Sequence, residues 1–155
     1  MIEVSVATAM VALFIAGLMM MNSNLLTLLR GAQENVSASQ FLQERVEQMR
    51  IANWLQITDA TYLAEDLVTT AAASAAGLKS PTETITVSAY PARAGVAKAE
   101  VIRGPAGIRT VSSNPSLKDE RMVRVDIRVV WRGTPRNRER VRMTTALLAK
   151  GGIAK

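Results

Sequence analysis

The 155-residue sequence contains neither cysteine nor histidine. Their absence excludes disulfide bridges within the chain, thiol nucleophiles, imidazole bases and zinc sites built on either ligand. It does not fix the compartment, because many periplasmic domains carry no disulfide. Aromatic residues make up only 4% of the chain, so the core must be built mainly from aliphatic side chains, with Trp54 and Trp131 as its bulkiest members.

Charge is distributed unevenly along the chain, which carries a formal net charge of +6. Residues 1–87 contain four basic and eight acidic side chains, whereas residues 88–155 contain fifteen basic and five acidic ones. The second half is therefore strongly basic. Such a surface either binds an anionic partner or serves to keep the domain soluble.

Residues 4–21 form an apolar run without a single charge. At 1.5 Å per residue its 18 residues span about 27 Å, close to the hydrocarbon thickness of a bilayer. The polar members, Ser5 and Thr8, can bond to carbonyls one helical turn earlier. A cleaved secretory signal is the alternative, but it would begin with basic residues, and no Lys or Arg precedes this run. We predict that residues 1–29 form a transmembrane or filament-core helix.

The helix is predicted to continue beyond Arg30, because no proline interrupts the following residues. Residues 30–56 become amphipathic, so the second half of the helix should pack on another element. The complete helix would contain about 50 residues and be about 75 Å long. Its apolar stripe is predicted to consist of Leu42, Val46 and Met49, extended towards the membrane by Leu28, Ala32 and Ser39.

Residues 57–82 form a connecting segment whose structure the sequence predicts only coarsely. We expect a break at residues 59–62 and a short second helix over the alanine-rich residues 63–76. The turn-prone residues are concentrated later in the chain, where Gly104-Pro105-Ala106-Gly107 predicts a turn.

Residues 83–155 show the period-two pattern of β-strands. Strands are predicted at residues 85–90, 97–103 and 122–131, with a hairpin loop at 133–137 and a return strand after it. The apolar face of the third strand is predicted to comprise Val123, Val125, Ile127, Val129 and Trp131. The return strand should continue that face with Val141, Met143, Thr145 and Leu147. The predicted fold class is α+β, a long N-terminal helix whose amphipathic half packs on a small antiparallel sheet.

The start of the chain, Met1-Ile2-Glu3-Val4 followed by the apolar run, resembles class I type IV pilins and the pseudopilins of type II secretion systems. In that family a glutamate interrupts an otherwise hydrophobic N-terminal helix, and a connecting stretch and an antiparallel sheet follow. The resemblance covers the whole chain in architecture but only about the first twenty residues in motif. The family's basic leader is not present here and Glu3 stands third rather than fifth, so we expect Met1 to correspond to the third mature residue.

The resemblance implies a non-enzymatic structural subunit, a minor pilin or pseudopilin, without a cofactor or metal. It implies that Glu3 pairs with the N-terminal amine of a neighbouring subunit; alternatively, Glu3 lies at headgroup level as a charge favoured by the helix dipole. The implied partners are other pilin or pseudopilin subunits, the inner membrane before assembly, a prepilin peptidase and an assembly platform. The head would lie in the periplasm, and the filament in the periplasm or at the cell surface. Packing between neighbouring helices would use Val4, Ala7, Val11, Phe14, Ile15 and Leu18.

The predicted hairpin is rich in arginine and is the strongest local charge feature of the chain. It either forms a solvated face that protects the sheet edge or binds an anionic partner such as DNA. In the second case the protein would be a single-pass anchored periplasmic domain that does not polymerise. No catalytic constellation is present, since residues 104–107 lack the Lys-Ser/Thr ending of a phosphate-binding loop. The candidate anion-binding residues are Arg124, Arg128, Arg132, Arg136, Arg138, Arg140 and Arg142.

Overall fold

The computed structural model of the chain describes residues 2–69, 72, 75, 77–91, 98–112, 115–134 and 137–151. Its fold is α+β: one long helix, α1 (Ile2–Ile51), packs against a five-stranded antiparallel sheet. The prediction of a single helix of about 50 residues is confirmed, since α1 contains 50. Glu3 in its first turn and Arg50 in its last complement the helix dipole.

Short helical turns follow α1, and the first two have side-chain caps. The turns are α2 (Trp54–Ile57), α3 (Ala60–Tyr62) and a π-helical turn (Leu63–Leu67). Asn53 and Gln56 form a capping box on α2. Asp59 caps α3 by accepting a hydrogen bond of 2.9 Å from the Thr61 amide. The predicted break at residues 59–62 is confirmed at Asp59, which separates α2 from α3, but is wrong for residues 60–62, which are helical. The helix predicted over residues 63–76 is reduced to the π-helical turn at its start, because residues 68 and 69 form a turn; residues 70, 71, 73, 74 and 76 lie outside the described ranges.

The sheet contains β1 (Thr82–Ala89), β2 (Lys98–Gly104), β3 (Gly107–Ser112), β4 (Met122–Gly133) and β5 (Arg138–Ala149). Their spatial order is β3-β2-β1-β4-β5, with every neighbouring pair antiparallel. The strands predicted at residues 85–90, 97–103 and 122–131 are confirmed as β1, β2 and β4, except that Tyr90 lies beyond the end of β1 and residue 97 lies outside the described residues. The turn at 104–107 is also confirmed. Gly107 adopts a φ of +116°, a conformation that only glycine adopts readily. Strand β3 was not predicted.

One face of the sheet forms the core. The five apolar residues predicted on the inner face of β4 are all buried, and Ile85 and Val87 of β1 lie beside them. Helix α1 covers this face, with its main contacts on β4 and β5. Its buried side comprises Gly31, Ala38, Phe41, Leu42, Arg45 and Met49. The predicted stripe is thus confirmed at Leu42 and Met49, while Leu28 and Ala32 are exposed.

Strand β5 directs its larger apolar side chains away from α1. Met143 pairs with Arg128 and Leu147 with Arg124 on the outer face of the sheet, where they are 60% and 51% exposed. The prediction that Val141, Met143, Thr145 and Leu147 continue the inner face is therefore wrong. A shift of one residue exchanges the two faces of a strand. The sequence pattern of β5 does not determine which of its two faces is buried, because Ala146 and Leu148 place apolar residues on the other face.

Candidate functional site

The first half of α1 has no partner within the described part of the chain. None of the residues in its most apolar 18-residue window is buried, and Phe14 is 69% exposed. By length and composition, α1 is able to cross a membrane. A core helix of a soluble domain passes the same test, but it would be mostly buried in its own fold. The exposed, uncharged half of α1 therefore favours a membrane or helix-packing role.

The six predicted packing residues lie along this exposed half. Full burial of a large aliphatic or aromatic side chain is worth about 1.5–3 kcal/mol, so five such residues represent roughly 8–15 kcal/mol. That is comparable to the whole stability of a small domain, about 5–15 kcal/mol. The cost of exposing this surface to water therefore favours its burial in a membrane or against other helices. The exposed packing residues are Val4, Ala7, Val11, Phe14, Ile15 and Leu18.

Glu3 lies at the membrane end of this surface. It is exposed, and it stands four residues before Ala7, which places both on the same side of the helix. Thr8, one turn further on, satisfies its hydroxyl within the helix through a 2.9 Å hydrogen bond to the Val4 carbonyl. Among the described residues, none forms a hydrogen bond or an ion pair with Glu3.

A second cluster ties the β4–β5 hairpin to α1 just beyond its apolar half. Glu34 accepts hydrogen bonds of 2.6 Å from the Thr134 hydroxyl and 3.0 Å from the Thr134 amide. Arg140 donates to the carbonyls of Gly31, at 3.4 Å, and Thr134, at 2.5 Å. Its guanidinium lies 4.0 Å from the Glu34 carboxylate. The end of the hairpin is therefore fixed against the residues where the helix leaves its uncharged segment.

The environment of Glu34 favours its charged form. Burial alone would raise the pKa of this carboxyl group, but the Thr134 hydroxyl, the Thr134 amide, the Trp131 indole and the Arg140 charge together lower it below its ordinary value. The Trp131 Nε1 atom is buried without a hydrogen bond of good geometry, so we regard its effect on the Glu34 carboxylate as a weak, poorly aligned contact.

Arg45 and Glu83 form a buried ion pair between α1 and β1. Arg45 Nε lies 2.7 Å from Glu83 Oε1 and Nη2 lies 3.2 Å from Oε2. Nη1 of Arg45 also donates to Gln48 and to the Leu67 carbonyl, so one side chain joins the helix, the sheet and the connecting segment. Burial raises the pKa of the Glu83 carboxyl group, and the Arg45 charge only partly offsets this effect.

The candidate anion-binding arginines do not share one face. Arg124, Arg128 and Arg132 are exposed on the outer face of β4. Arg140 and Arg142 pair with the inward residues Trp131 and Val129, which places them on the helix side of the sheet. Arg138 has the same parity, at the hairpin end, and Arg136 lies outside the described residues.

Arg140 and Arg142, on the helix side, have different environments. Arg140 is engaged with Gly31 and Thr134. Arg142 lines an open cleft between α1 and β5 together with Leu42 and Val46. Within the described ranges, no group of three or more acidic side chains is positioned to hold a metal ion. Of the described arginines in the predicted anion-binding set, only Arg140 is half-buried, and the others are exposed.

Sequence reasoning did not identify the Glu34 cluster or the Arg45–Glu83 pair. A signal for Arg45 exists, because it stands four residues after Phe41 and four before Met49, on the stripe that is buried. No comparable signal marks Glu34, whose partner Thr134 lies 100 residues away. Comparison of the chain with protein-family models, with curated proteins and with solved structures finds no significant match.

Proposed function

We propose that the chain is a non-enzymatic structural subunit, a minor pilin or pseudopilin of a type IV pilus or type II secretion-like filament. It assembles through its N-terminal hydrophobic helix. Before assembly, the subunit spans the inner membrane once with its head in the periplasm. A prepilin peptidase and an assembly platform act on it by family resemblance, and other pilin or pseudopilin subunits are its partners.

One observation supports this proposal most directly: α1 is a single unbroken helix whose first half is exposed and uncharged and whose second half packs on the sheet. A membrane anchor alone requires only a span of about 20 residues, usually joined to its domain by a linker. Here α1 has no linker between its apolar half and the head. The apolar half of α1 therefore has a fixed position relative to the head. A filament core, in which many such helices pack side by side, requires this.

The position of Glu3 supports the same function. A carboxylate at the edge of an apolar helix costs several kcal/mol to bury without a partner. Glu3 has no partner in its own subunit among the described residues. The N-terminal amine of a neighbouring subunit would neutralise it as helices bundle, and this pairing would set the register of the incoming subunit.

The first experiment is electron microscopy of shear-released material from cells that express the chain behind a prepilin leader peptide. Antibodies against the β4–β5 hairpin provide the label. We expect label on filaments, along their length for a major subunit or at the tip for a minor one. Unlabelled filaments, with all of the protein retained in the membrane, would contradict a surface pilus subunit and leave a periplasmic pseudopilin.

A second candidate function is that of a single-pass anchored periplasmic domain which binds an anionic ligand such as DNA. The exposed row of Arg124, Arg128 and Arg132 on β4 favours it. However, Arg124 forms an ion pair with Asp126 at 2.9 Å, which reduces the charge of that row. Replacement of Glu3 by alanine separates the two functions, because only a filament subunit depends on that carboxylate.

A further inference from the structure

The hairpin end of the sheet lies beside the point where α1 leaves its uncharged segment. Arg140 contacts the Gly31 carbonyl, and Thr134 donates to Glu34. With a rise of 1.5 Å per residue, Gly31 and Glu34 lie about 3 Å and 8 Å beyond Leu29 along the helix axis. These contacts therefore hold the hairpin end of the sheet against the first turn of α1 after the apolar half.

The uncharged part of α1 matches a complete bilayer. Residues 4–29 contain no charge, and Glu3 and Arg30 flank them. These residues cover about 39 Å of helix, close to the roughly 40–45 Å of a bilayer with its headgroup regions. When α1 spans a membrane, Gly31 and the hairpin end beside it lie at the outer edge of the headgroup layer.

Four basic side chains surround this position, and we name them the basic collar: Arg30, Lys79, Arg132 and Arg138. All four are exposed, and none forms an ion pair with another described residue. The Arg132 amide donates to the Lys79 carbonyl at 3.0 Å, which holds these two residues side by side. Arg138 pairs with Gly133 at the end of the hairpin.

Acidic residues near the basic collar do not neutralise it. Glu34 is held by Thr134 and lies closest to Arg140, which is not part of the collar. Glu139 is the cross-strand neighbour of Arg132, but it forms no ion pair with it. Positive charge therefore prevails where the head meets the membrane surface.

We propose that the basic collar binds the anionic phosphate groups of lipids in the leaflet from which α1 emerges. Electrostatic attraction to such a surface extends over about one Debye length, 8–10 Å at moderate salt. The residues of α1 that contact the hairpin, Gly31 and Glu34, lie within that distance of Leu29, the last residue of the uncharged segment. The collar is tethered there by α1, so it meets lipid headgroups at a high effective concentration. The proposal rests on the membrane placement of α1 and not on filament assembly.

Lipid explains the placement of the collar better than DNA does. A duplex would require basic residues along a surface that extends away from the membrane, whereas the collar residues gather at one end of the sheet. Of the exposed arginines on β4, Arg132 is the one closest to the hairpin, and Arg124 lies near the opposite end of the strand. DNA binding is therefore an alternative outcome of the test and not part of the proposal.

The test uses the full chain in lipid nanodiscs with single labelling sites, which the absence of native cysteine permits. Ala106 is an exposed residue of the β2–β3 turn, next to Pro105, which lines a shallow cleft with Arg132 and Glu139. A fluorophore on A106C is quenched by spin labels on lipid headgroups. We expect stronger quenching when about one third of the lipid is phosphatidylglycerol than in neutral lipid. The difference should disappear in 1 M salt, where the Debye length is about 3 Å.

A pair of charge variants provides the matched comparison. R132Q/R138Q removes two charges from the collar, whereas K118Q/R121Q removes two exposed charges near the start of β4, at the other end of the sheet. One basic residue near an anionic surface is worth about fivefold in binding. We expect R132Q/R138Q to lose most of the lipid-dependent quenching and K118Q/R121Q to retain it. Equal effects of the two variants would overturn the proposal.

A further label and a DNA competitor distinguish the causes of failure. A label on A16C, in the apolar half of α1, reports insertion through acyl-chain quenchers in both lipids. If it is not quenched, α1 is not in the membrane, and both the collar and the proposed function fail. If it is quenched but the A106C signal is the same in neutral and anionic lipid, only the collar fails. Protection of the A106C label by added duplex DNA, without a lipid effect, would make DNA the partner.

Discussion

Arg45 Nε donates a 2.7 Å hydrogen bond to Glu83 Oε1, between side chains that are only 1% and 4% exposed. The two residues stand 38 positions apart and join α1 to the central strand of the sheet. Arg45 also lies 5.8 Å from the centre of the Phe41 ring. A buried charge is strongly destabilising unless it lies against its counter-ion. The pair therefore fixes the rotation of α1 about its axis and its position along that axis relative to the sheet.

The first prediction concerns the loss of one partner of this pair. R45M should lower the free energy of unfolding by about 3–5 kcal/mol, because it leaves the Glu83 carboxyl group buried without its counter-ion. The double variant R45M/E83L should recover most of that loss, since an apolar pair needs no desolvation of charge. Urea unfolding of the full chain in detergent, followed by tryptophan fluorescence, measures both. The same midpoint for the single and double variants would contradict this account.

The second prediction concerns pH. The pKa of Glu34 is lowered from its ordinary value of 4.5, so its stabilising effect is complete above pH 4.5 and is lost as the pH falls through the folded-state pKa. At pH 7, E34Q should be less stable than the wild type by about 1.5–3 kcal/mol, the range for hydrogen bonds to charged groups. This difference should shrink below pH 4.5.

The comparison of E34Q with the wild type isolates Glu34 from Glu83. The pKa of Glu83 is raised by burial, so its contribution has the opposite sign: it is complete below pH 4.5 and lost as the pH rises through the folded-state pKa. Both proteins share that contribution, and it cancels in their difference. Thermal unfolding at several pH values between 3 and 7 provides the measurement. A difference that stays constant across this range would exclude a lowered pKa for Glu34.

The third prediction concerns Gly133, at the end of β4. A Cβ atom added there would overlap the Nε atom of Arg140, so the arginine would have to leave the carbonyls of Gly31 and Thr134. We expect G133A to lower the free energy of unfolding by about 1–3 kcal/mol. G17A is the control, because among the described residues no atom beyond the neighbouring helix backbone lies within 4 Å of its added Cβ. Unfolding of G133A at the wild-type midpoint would mean that Arg140 is not needed to hold the hairpin.

The fourth prediction concerns Glu3. E3A should reduce filament yield at least tenfold, because the carboxylate is proposed to pair with a neighbouring subunit. The unfolding midpoint of the head should not change, since Glu3 has no partner among the described residues of its own subunit. E47A is the control, as it removes an exposed carboxylate of the same helix that pairs with Arg50. Filaments of E3A at the wild-type yield would favour the anchored binding domain.

The helix and the strand β4 were predictable because their patterns repeat over many residues. Residues 123–132 of β4 alternate between inward apolar side chains and outward side chains that are charged at every position except Val130, and no proline interrupts α1. Arg45 was not predictable in the same way. Hydropathy assigns arginine to solvent, and only the position of Glu83, which the fold brings to it, reverses that assignment. The buried side of α1 consequently includes Phe41 and Arg45 as well as Leu42 and Met49.

The faces of β5 depend on a contact that its own sequence does not contain. Apolar residues occur at both parities of this strand, so the alternating pattern supports either register. The observed register places Arg140 on the helix side, where it reaches Gly31 and Thr134. The arginines of the hairpin were therefore predictable as a charged segment, but their division between the two sides of the sheet was not.

Because α1 is unbroken, it connects its apolar half rigidly to the head. The head is attached near both ends of the docked half of the helix, through Arg140 at Gly31 and through Glu83 at Arg45, so it cannot swing independently. For a helix about 75 Å long, a tilt of about 10° moves one end by roughly 13 Å relative to the other. Small changes in the angle of the apolar half therefore produce large displacements of the head.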